Sequence, residues 1–184
     1  MAVPGIRFDW ITGADTATVL RLYSAVGWCE PDDRGEWVDA MFAGSCAAIG
    51  AFDGDRAVGF ARALSDGVSD AFIQDVVVDP AYRKRGIARE LVTRLVAELE
   101  RRGVDWIGLV GVPGTRRLYE SCGFEVLEGY TPMRYTGRKQ DAADRESMTV
   151  PGRWITGVPD PSDRQSGAAG GILFPGNDSG SGAD

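Results

Sequence analysis

One stretch of the chain, residues 72–91, restricts the fold more than any other part of the sequence. It opens with a β-branched apolar run from Phe72 to Val78, which predicts a buried strand. Asp79-Pro80 ends this strand, and a sequence with apolar residues at helical spacing then predicts an amphipathic helix over 86–102. The short basic segment between them therefore connects the end of a strand directly to the start of a helix.

This connection has the chemistry of an anion-binding loop. The first N–H groups of a helix have no intrahelical acceptor and lie at the positive end of the helix dipole. Gly86 allows an anion to approach the backbone, and Arg83, Lys84 and Arg85 add positive charge. The loop is not a P-loop and not a dinucleotide-binding Gly-x-Gly-x-x-Gly. The alternative interpretation is a basic helix start whose glycine serves only tight packing.

The loop pattern Arg83-x-x-Gly86-x-Ala88 resembles the acyl-CoA pyrophosphate loop of the GNAT superfamily of N-acetyltransferases. The order Val-Asp-Pro-x-Tyr-Arg before the loop and Leu-Tyr-x-x-x-Gly-Phe at 118–124 is similar to that family as well. The segment 61–67 adds a likeness to bacterial and plastid members related to aralkylamine acetyltransferases. The resemblance covers about residues 6–135. It implies an α/β (mixed α+β) GNAT fold, with a central mixed sheet that has two splayed parallel strands and is flanked by helices.

The resemblance also implies that acetyl-CoA is the co-substrate. In this family the pantetheine arm bonds to the main chain in the gap between the splayed strands, at positions that correspond to Val76 and Val78. The pyrophosphate is held by the loop and the start of the helix. The residues that match this part are Arg83, Lys84, Arg85, Gly86, Ile87 and Ala88.

Tyr119 corresponds to a family tyrosine that lies close to the coenzyme sulfur. A phenol with a pKa of about 10 stays protonated at neutral pH, so Tyr119 is the candidate general acid for the leaving thiolate. Packing between helix and sheet is the alternative for this side chain. The chain departs from the family at Val112, where many members have Asn.

The chain contains no His, so proton transfer must use carboxylates, Tyr, Cys, Lys or water. Asp75, on the strand before the loop, is the candidate general base, and binding of the substrate ammonium group is its alternative role. Strand alternation places Gln74 on the face opposite to Asp75, unless a bulge shifts the register.

An acidic segment with interleaved tryptophans is the candidate amine-recognition wall. Five acids and one base lie between residues 30 and 39, and carboxylates together with indole faces attract an ammonium group. The predicted substrate-binding residues are Trp28, Asp32 and Asp33. A solvated acidic surface with a capping Asp is the alternative.

Composition excludes several other classes of function. The formal charge of −7 and the pI near 4.7 disfavour nucleic acid as a partner. No apolar run reaches the roughly 20 residues of a membrane helix and no signal peptide is recognisable, so we expect a cytoplasmic protein without a membrane partner. Three cysteines without Cys-x-x-Cys spacing predict no metal site.

The remaining patterns predict a domain of residues 1–136, followed by a Gly/Pro/Ser/Asp-rich C-terminal extension, 137–184. At least one of its two apolar islands, Trp154-Ile155 and 172–174, is expected to dock on the domain or on a second subunit. The elements predicted in the domain, besides those above, are a strand at 6–10, helices at 16–26 and 36–42, a hairpin of 46–52 with 57–64, a strand at 104–110, a helix at 116–122 and final strands at 124–127 and 133–135.

Together these observations predict an N-acetyltransferase. It would move an acetyl group from acetyl-CoA to a primary amine, a small cationic molecule, by direct nucleophilic attack. The alternatives are an acyl-CoA-binding regulatory module without turnover, and an O-acyltransferase or decarboxylase on the same scaffold. A homodimer is compatible with the resemblance, since dimers are common in the family.

Overall fold

The computed structural model describes residues 3–135, which form one five-stranded sheet flanked by helices. The strands are β1 (Arg7–Trp10), β2 (Ala47–Asp53), β3 (Arg56–Ser65), β4 (Asp70–Val78) and β5 (Trp106–Gly108). The helices are α1 (Thr16–Ser24), α2 (Val38–Ala43), α3 (Ile87–Arg101) and α4 (Arg116–Glu120), and a 3-10 turn covers Pro80–Tyr82. The predicted extension, 137–184, lies outside the described residues.

The sheet is mixed because of one helical crossover. Strands β1 to β4 are antiparallel neighbours in sequence order, and β2 and β3 are joined by a tight turn in which Gly54 has a φ of 57°. After β4 the chain passes through α3 and returns as β5, parallel to β4. The predicted hairpin, the parallel pair and the predicted fold class are therefore confirmed.

Alternation along the strands buries both faces of the sheet. One core cluster joins Ile49, Ala61 and Ile73 to the apolar side of α3, where Leu91 and Leu95 are fully buried. A second cluster is formed by side chains of the same strands that lie on the opposite face of the sheet. It joins Ala48, Phe60 and Val77 to α1 and α2 through Val19, Leu22, Val38 and Phe42.

The structure corrects the predicted C-terminal strands. Residues 124–135 contain no strand, and their apolar side chains, among them Val126, Leu127 and Tyr130, are exposed. Within the described residues β5 therefore has only β4 as a neighbour, and its Trp106 is 47% exposed. The short strand predicted over 104–110 is present but covers only Trp106–Gly108, because the ladder with β4 ends there, and it is less buried than expected.

The helices are one or two residues shorter than predicted. Asp15 accepts the N–H of Thr18 at the start of α1, as expected, but α1 ends at Ser24 and not at Val26. Helix α3 ends at Arg101, ahead of Gly103 in the left-handed conformation. No helix within residues 3–135 combines the length and hydrophobicity needed to cross a bilayer.

Candidate active site

The gap beside β4 is the central feature of the site. Strands β4 and β5 pair only from Asp70–Trp106 to Phe72–Gly108, and no later pair joins them in the described part of the chain. The C-terminal half of β4, including Val76 and Val78, therefore continues without β5 as a neighbour. This is the divergence of two parallel strands that the sequence predicted.

The loop that follows β4 has an unusual backbone. Lys84 and Gly86 both lie in the left-handed region, with φ values of 61° and 87°. Gly86 is the residue before α3, and no side chain caps this helix end. A Cβ added at Gly86 would approach only Val3 Cγ2, at 3.8 Å, so the space above the helix start is open.

The basic side chains around this loop are held by local contacts. Arg83 Nε donates to the carbonyl of Val78 at 3.4 Å. The guanidinium of Arg85 lies 5.2 Å from the centre of the Tyr82 ring, and the Tyr82 hydroxyl donates to Asp53 at 2.8 Å. The Asp53 contact raises the pKa of Tyr82.

A buried carboxylate fixes the position of the loop relative to the sheet. Asp79 is the only charged residue counted as buried among those described. Its Oδ2 accepts from Arg21 of α1 at 2.9 Å and from Arg56 of β3 at 3.0 Å, and its Oδ1 accepts the N–H of Ala81. Because three parts of the chain meet at this residue, the loop is tied to both the hairpin and α1.

These features fit the pyrophosphate and arm of acetyl-CoA. An open helix start with free N–H groups and surrounding cations suits a diphosphate. The gap along β4 suits an extended arm that bonds to the main chain. The residues predicted to hold the coenzyme lie along this strand and loop: Val76, Val78, Arg83, Lys84, Arg85, Gly86, Ile87 and Ala88.

Tyr119 lies at the same end of the sheet as the loop. Its ring packs against Gly111, just beyond β5, where an added Cβ would stand 3.2 Å from Tyr119 Cε2. The thiol of Cys122 contacts the carbonyl of Arg89 at 3.9 Å and so connects the end of α4 to the first turn of α3. None of the described residues hydrogen-bonds to the Tyr119 hydroxyl, and burial of the ring raises its pKa. The phenol is therefore protonated at neutral pH, as a general acid requires.

Asp75 occupies a bulge in β4. Phe60 pairs with Val77 and Arg62 with Gln74, so β4 uses one residue more than β3 over this interval. Asp75 has a φ of 52°, and its carboxylate accepts from Arg62 Nε. Arg62 Nη2 also donates to Gln74 Oε1 at 3.1 Å, so the stated exception of a bulge applies and Gln74 and Asp75 do not follow strict alternation. The bulge brings both side chains to the same guanidinium.

The predicted amine-recognition wall is only partly a free surface. Trp28 is 41% exposed and meets the Tyr23 ring edge-on at 5.4 Å, and Asp32 is exposed. Asp33 instead accepts the N–H of Gly35 at 2.7 Å and Trp37 Nε1 at 3.0 Å. Asp33 is thus engaged in a local turn and does not cap α2, which has no side-chain cap, so Asp32 and its exposed acidic neighbours are left for an external cation.

Sequence reasoning missed two residues that organise this region. Tyr23 lies on α1, and its ring stacks between Trp37 at 5.4 Å and Phe60 at 6.0 Å. Burial, and next the charge of Asp75, raise the pKa of its hydroxyl. Arg62 was not singled out, although a charged residue between Ala61 and Ala63 in a buried strand was a usable signal.

Other candidate sites have less support. An open depression of about 620 Å³ lies near Asp70, Ala71 and Trp106, at the end of β4 away from the loop, and contains none of the predicted site residues. No group of three or more Cys, Asp or Glu side chains in residues 3–135 could hold a metal ion.

Comparison with known proteins was consistent with this geometry. The sequence model described as "Acetyltransferase (GNAT) family" matches residues 16–124. GCN5-related N-acetyltransferase 1, chloroplastic, from Arabidopsis thaliana is 41% identical over 69 residues, which are 38% of this chain and 35% of that protein. Serotonin N-acetyltransferase 2, chloroplastic, from Oryza sativa subsp. japonica is 44% identical over 69 residues, 38% of this chain and 34% of that protein. The chain therefore spans about a third of the length of these two relatives.

A solved structure covers more of the fold. A GNAT family acetyltransferase from Streptococcus pneumoniae superposes with a TM-score of 0.62 and 29% identity, over 73% of this chain and 99% of that one. The family-model match, residues 16–124, includes β4, the loop and α3.

Proposed function

The chain belongs to the acetyltransferase (GNAT) family, and from this membership we propose that it transfers an acetyl group from acetyl-CoA to a small, cationic primary amine. The family and the acyltransferase class that the sequence predicted are confirmed. The observation that carries the proposed reaction is the divergence of β4 from β5 next to an uncapped helix start.

The donor side of the reaction follows from that geometry. The loop from Arg83 to Gly86 and the first N–H groups of α3 bind the pyrophosphate, and the main chain near Val76 and Val78 receives the arm. When bound, acetyl-CoA supplies the acetyl group as a thioester. The gap then orients its carbonyl carbon for attack from the α1 and α2 side.

The proposed proton movements use a carboxylate of β4, Asp75, and a phenol of α4, Tyr119. The amine must be neutral to attack, and we assign the removal of its proton to Asp75, directly or through water. As the new C–N bond forms and the C–S bond breaks, Tyr119 donates its proton to the departing sulfur, and the second proton of the attacking nitrogen passes through water to the Tyr119 oxygen, which restores the phenol. The raised pKa of Tyr119 keeps that proton available at neutral pH.

The acceptor class rests on the charges around Trp28. Glu30, Asp32, Glu36 and Asp39 are all exposed, and the half-exposed indole of Trp28 lies in the same segment. The rice relative is named for serotonin, which is a primary amine. Both observations support a cationic amine, and neither specifies which one. The cytoplasmic location and a homodimer stay predictions.

Release of CoA thiol with a panel of amines tests this function. Each primary amine is paired with its N,N-dimethyl derivative, which keeps the positive charge but forms no stable amide. We expect thiol release and an acetylated product, identified by mass, with at least one primary amine and with no dimethyl derivative. A reaction without protein and one without acceptor correct for the chain's own thiols, Cys29, Cys46 and Cys122.

The possible failures of this test have different meanings. Binding of acetyl-CoA without thiol release for any acceptor would contradict the transferase and support a binding module. Transfer to an alcohol in preference to an amine would support the O-acyltransferase alternative.

A further inference from the structure

The bulge at Asp75 is a costly local structure. A φ of 52° lies in the left-handed region, which non-glycine residues rarely adopt, although Asp tolerates it better than most. Such conformations persist only when the surrounding structure imposes them, and they concentrate at functional sites. The contacts that impose this one therefore indicate what the site requires.

Arg62 makes the contacts that hold the bulge. Its Nε donates to Asp75, its Nη2 to Gln74 Oε1 at 3.1 Å and its Nη1 to Ser45 Oγ at 3.3 Å. Its side chain is 11% exposed and that of Asp75 is 21% exposed. The guanidinium thus bridges both sides of the extra residue and also connects β4 to the segment before β2.

Burial of an arginine at position 62 is unfavourable in free energy unless its donors are paired. The neighbouring strand residues Ala61 and Ala63 are fully buried, and Phe60 packs in the apolar cluster under α1. Burial of a guanidinium is tolerated only when its donors are paired, and here all three nitrogens have acceptors. An apolar side chain would pack on this face without that demand, so packing does not explain the arginine.

The bulge decides which groups of β4 face the gap. Ile73 packs on the α3 side before the bulge, and Val76 and Val78 pack on the same side after it. Side chains of a regular strand alternate with a period of two. If β4 had no bulge at Asp75, the side chains of Val76 and Val78 would therefore lie on the face opposite to Ile73. Their backbone groups beside the gap would change direction with them.

We propose that Arg62 is a positioning residue of the acetyl-transfer site, which holds the Asp75 bulge and thereby sets the main chain of β4 that receives the pantetheine arm. This inference rests on the proposed function. Arg62 acts through β4 and does not touch the reacting atoms. A lysine cannot replace it fully, because one ammonium group cannot reach three acceptors in the planar geometry of a guanidinium.

The test compares CoA with 3′-phospho-ADP, the half of CoA that has the pyrophosphate and lacks the arm. Calorimetry of Arg62→Met should show at least a tenfold weaker dissociation constant for CoA and a change below twofold for 3′-phospho-ADP. With the reactive amine, kcat should fall at least tenfold. A purely structural defect would weaken both ligands, so the ratio of the two affinities is the informative quantity.

Two further variants complete the experiment. Arg101→Met removes another arginine that is ion-paired, to Glu98 on the exposed side of α3, and should leave both affinities and kcat unchanged. Arg62→Lys keeps the buried charge and guards against misfolding of the methionine variant; we expect its CoA affinity to lie between those of Arg62→Met and the unaltered chain.

The outcomes separate this inference from the proposed function. Unchanged CoA affinity and kcat in both Arg62 variants, or equal losses for CoA and 3′-phospho-ADP, would overturn the role of Arg62. Failure of the unaltered chain to bind CoA would contradict the proposed function itself.

Discussion

Replacement of Gly86 by Ala tests the donor loop by conformation alone. The residue has a φ of 87°, and an added Cβ would contact only Val3 Cγ2 at 3.8 Å, so the methyl group causes no clash. The cost is the left-handed backbone, roughly 1 to 2 kcal/mol for a residue with a Cβ. Since residues 83–86 are exposed, we expect the loop of the unliganded Gly86→Ala variant to relax to another conformation. Ligand binding would then have to restore the left-handed backbone, and this would weaken binding by the same free energy.

A cost of about 1 to 2 kcal/mol corresponds to a roughly 5- to 30-fold weaker dissociation constant for acetyl-CoA. Calorimetry measures that constant, and urea unfolding measures the free energy of unfolding, which should change little. A bulkier residue such as Val should weaken binding at least tenfold, since it also obstructs the approach of the anion to the backbone.

The same helix provides a matched control at its other end. Gly103 has a φ of 88° and no atom within 4 Å of an added Cβ. Gly103→Ala should leave the affinity for acetyl-CoA as it is in the unaltered chain. Its free energy of unfolding should fall by about 1 kcal/mol, or stay unchanged if the backbone relaxes at this position. Equal losses of affinity in the two variants, or none in Gly86→Ala with its stability intact, would refute the loop assignment.

Three other perturbations test the remaining residues and the extension. Tyr119→Phe should reduce kcat by about 10² and leave acetyl-CoA affinity unchanged. Burial raises the pKa of Tyr119 above its usual 10.0, so the hydroxyl loses its proton only as the pH rises through that higher value. The fall in kcat at alkaline pH that is due to Tyr119 should therefore lie above about pH 10 and be absent in the variant. Equal rates would return Tyr119 to a packing role. Asp32→Asn should raise the KM for the amine without changing the free energy of unfolding, whereas Asp33→Asn should also destabilise the chain by about 1 kcal/mol through weaker bonds to Gly35 and Trp37; efficient turnover of an uncharged acceptor would argue against the acidic wall. Removal of residues 136–184 should alter stability, oligomeric state or amine kinetics, and identical values for all three would show that the apolar islands do not dock.

Most of the architecture could be predicted from the sequence because hydrophobic periodicity depends only on residues that are close together in the chain. The apolar repeat of α3, the Asp-Gly turn of the hairpin and the β-branched run of β4 each require only neighbouring residues. The Glu90–Arg94 pair on the polar side of α3 was also predictable from its spacing, and it has a distance of 2.9 Å. The loop was located for the same reason, since Gly86 and its cations form one continuous motif.

The errors arose where structure depends on distant partners. Residues 124–127 and 133–135 have strand-like composition, but a strand needs a neighbouring ladder, and the sequence does not specify whether β5 offers one. Asp33 was predicted to bind a cation because its charge was visible in the sequence and its hydrogen-bond partners were not. Its bonds to Gly35 and Trp37 depend on a turn that is seen only in the structure. Its role in that turn is a local bond that charge counting does not show.

The bulge was the least predictable feature and has the largest effect on the site. No period-two pattern reports an extra residue, and the alternation of Gln74 and Asp75 pointed to opposite faces. Its two signals were weak alone: an Asp, which tolerates a positive φ, and a lone Arg62 in the facing strand. Together they were informative, because a buried cation in one strand requires an anion within reach in the next.

One strand therefore combines the fold and the proposed chemistry. Strand β4 belongs to both core clusters through Ile73 and Val77, and it is followed directly by Asp79, which binds Arg21 of α1 and Arg56 of β3. The same strand diverges from β5 and leads into the donor loop. Because close-packed cores resist small displacements, the position of the loop and the width of the gap are fixed by the packing of the sheet. This packing would hold the gap and the loop in place before the substrates of the proposed transfer bind.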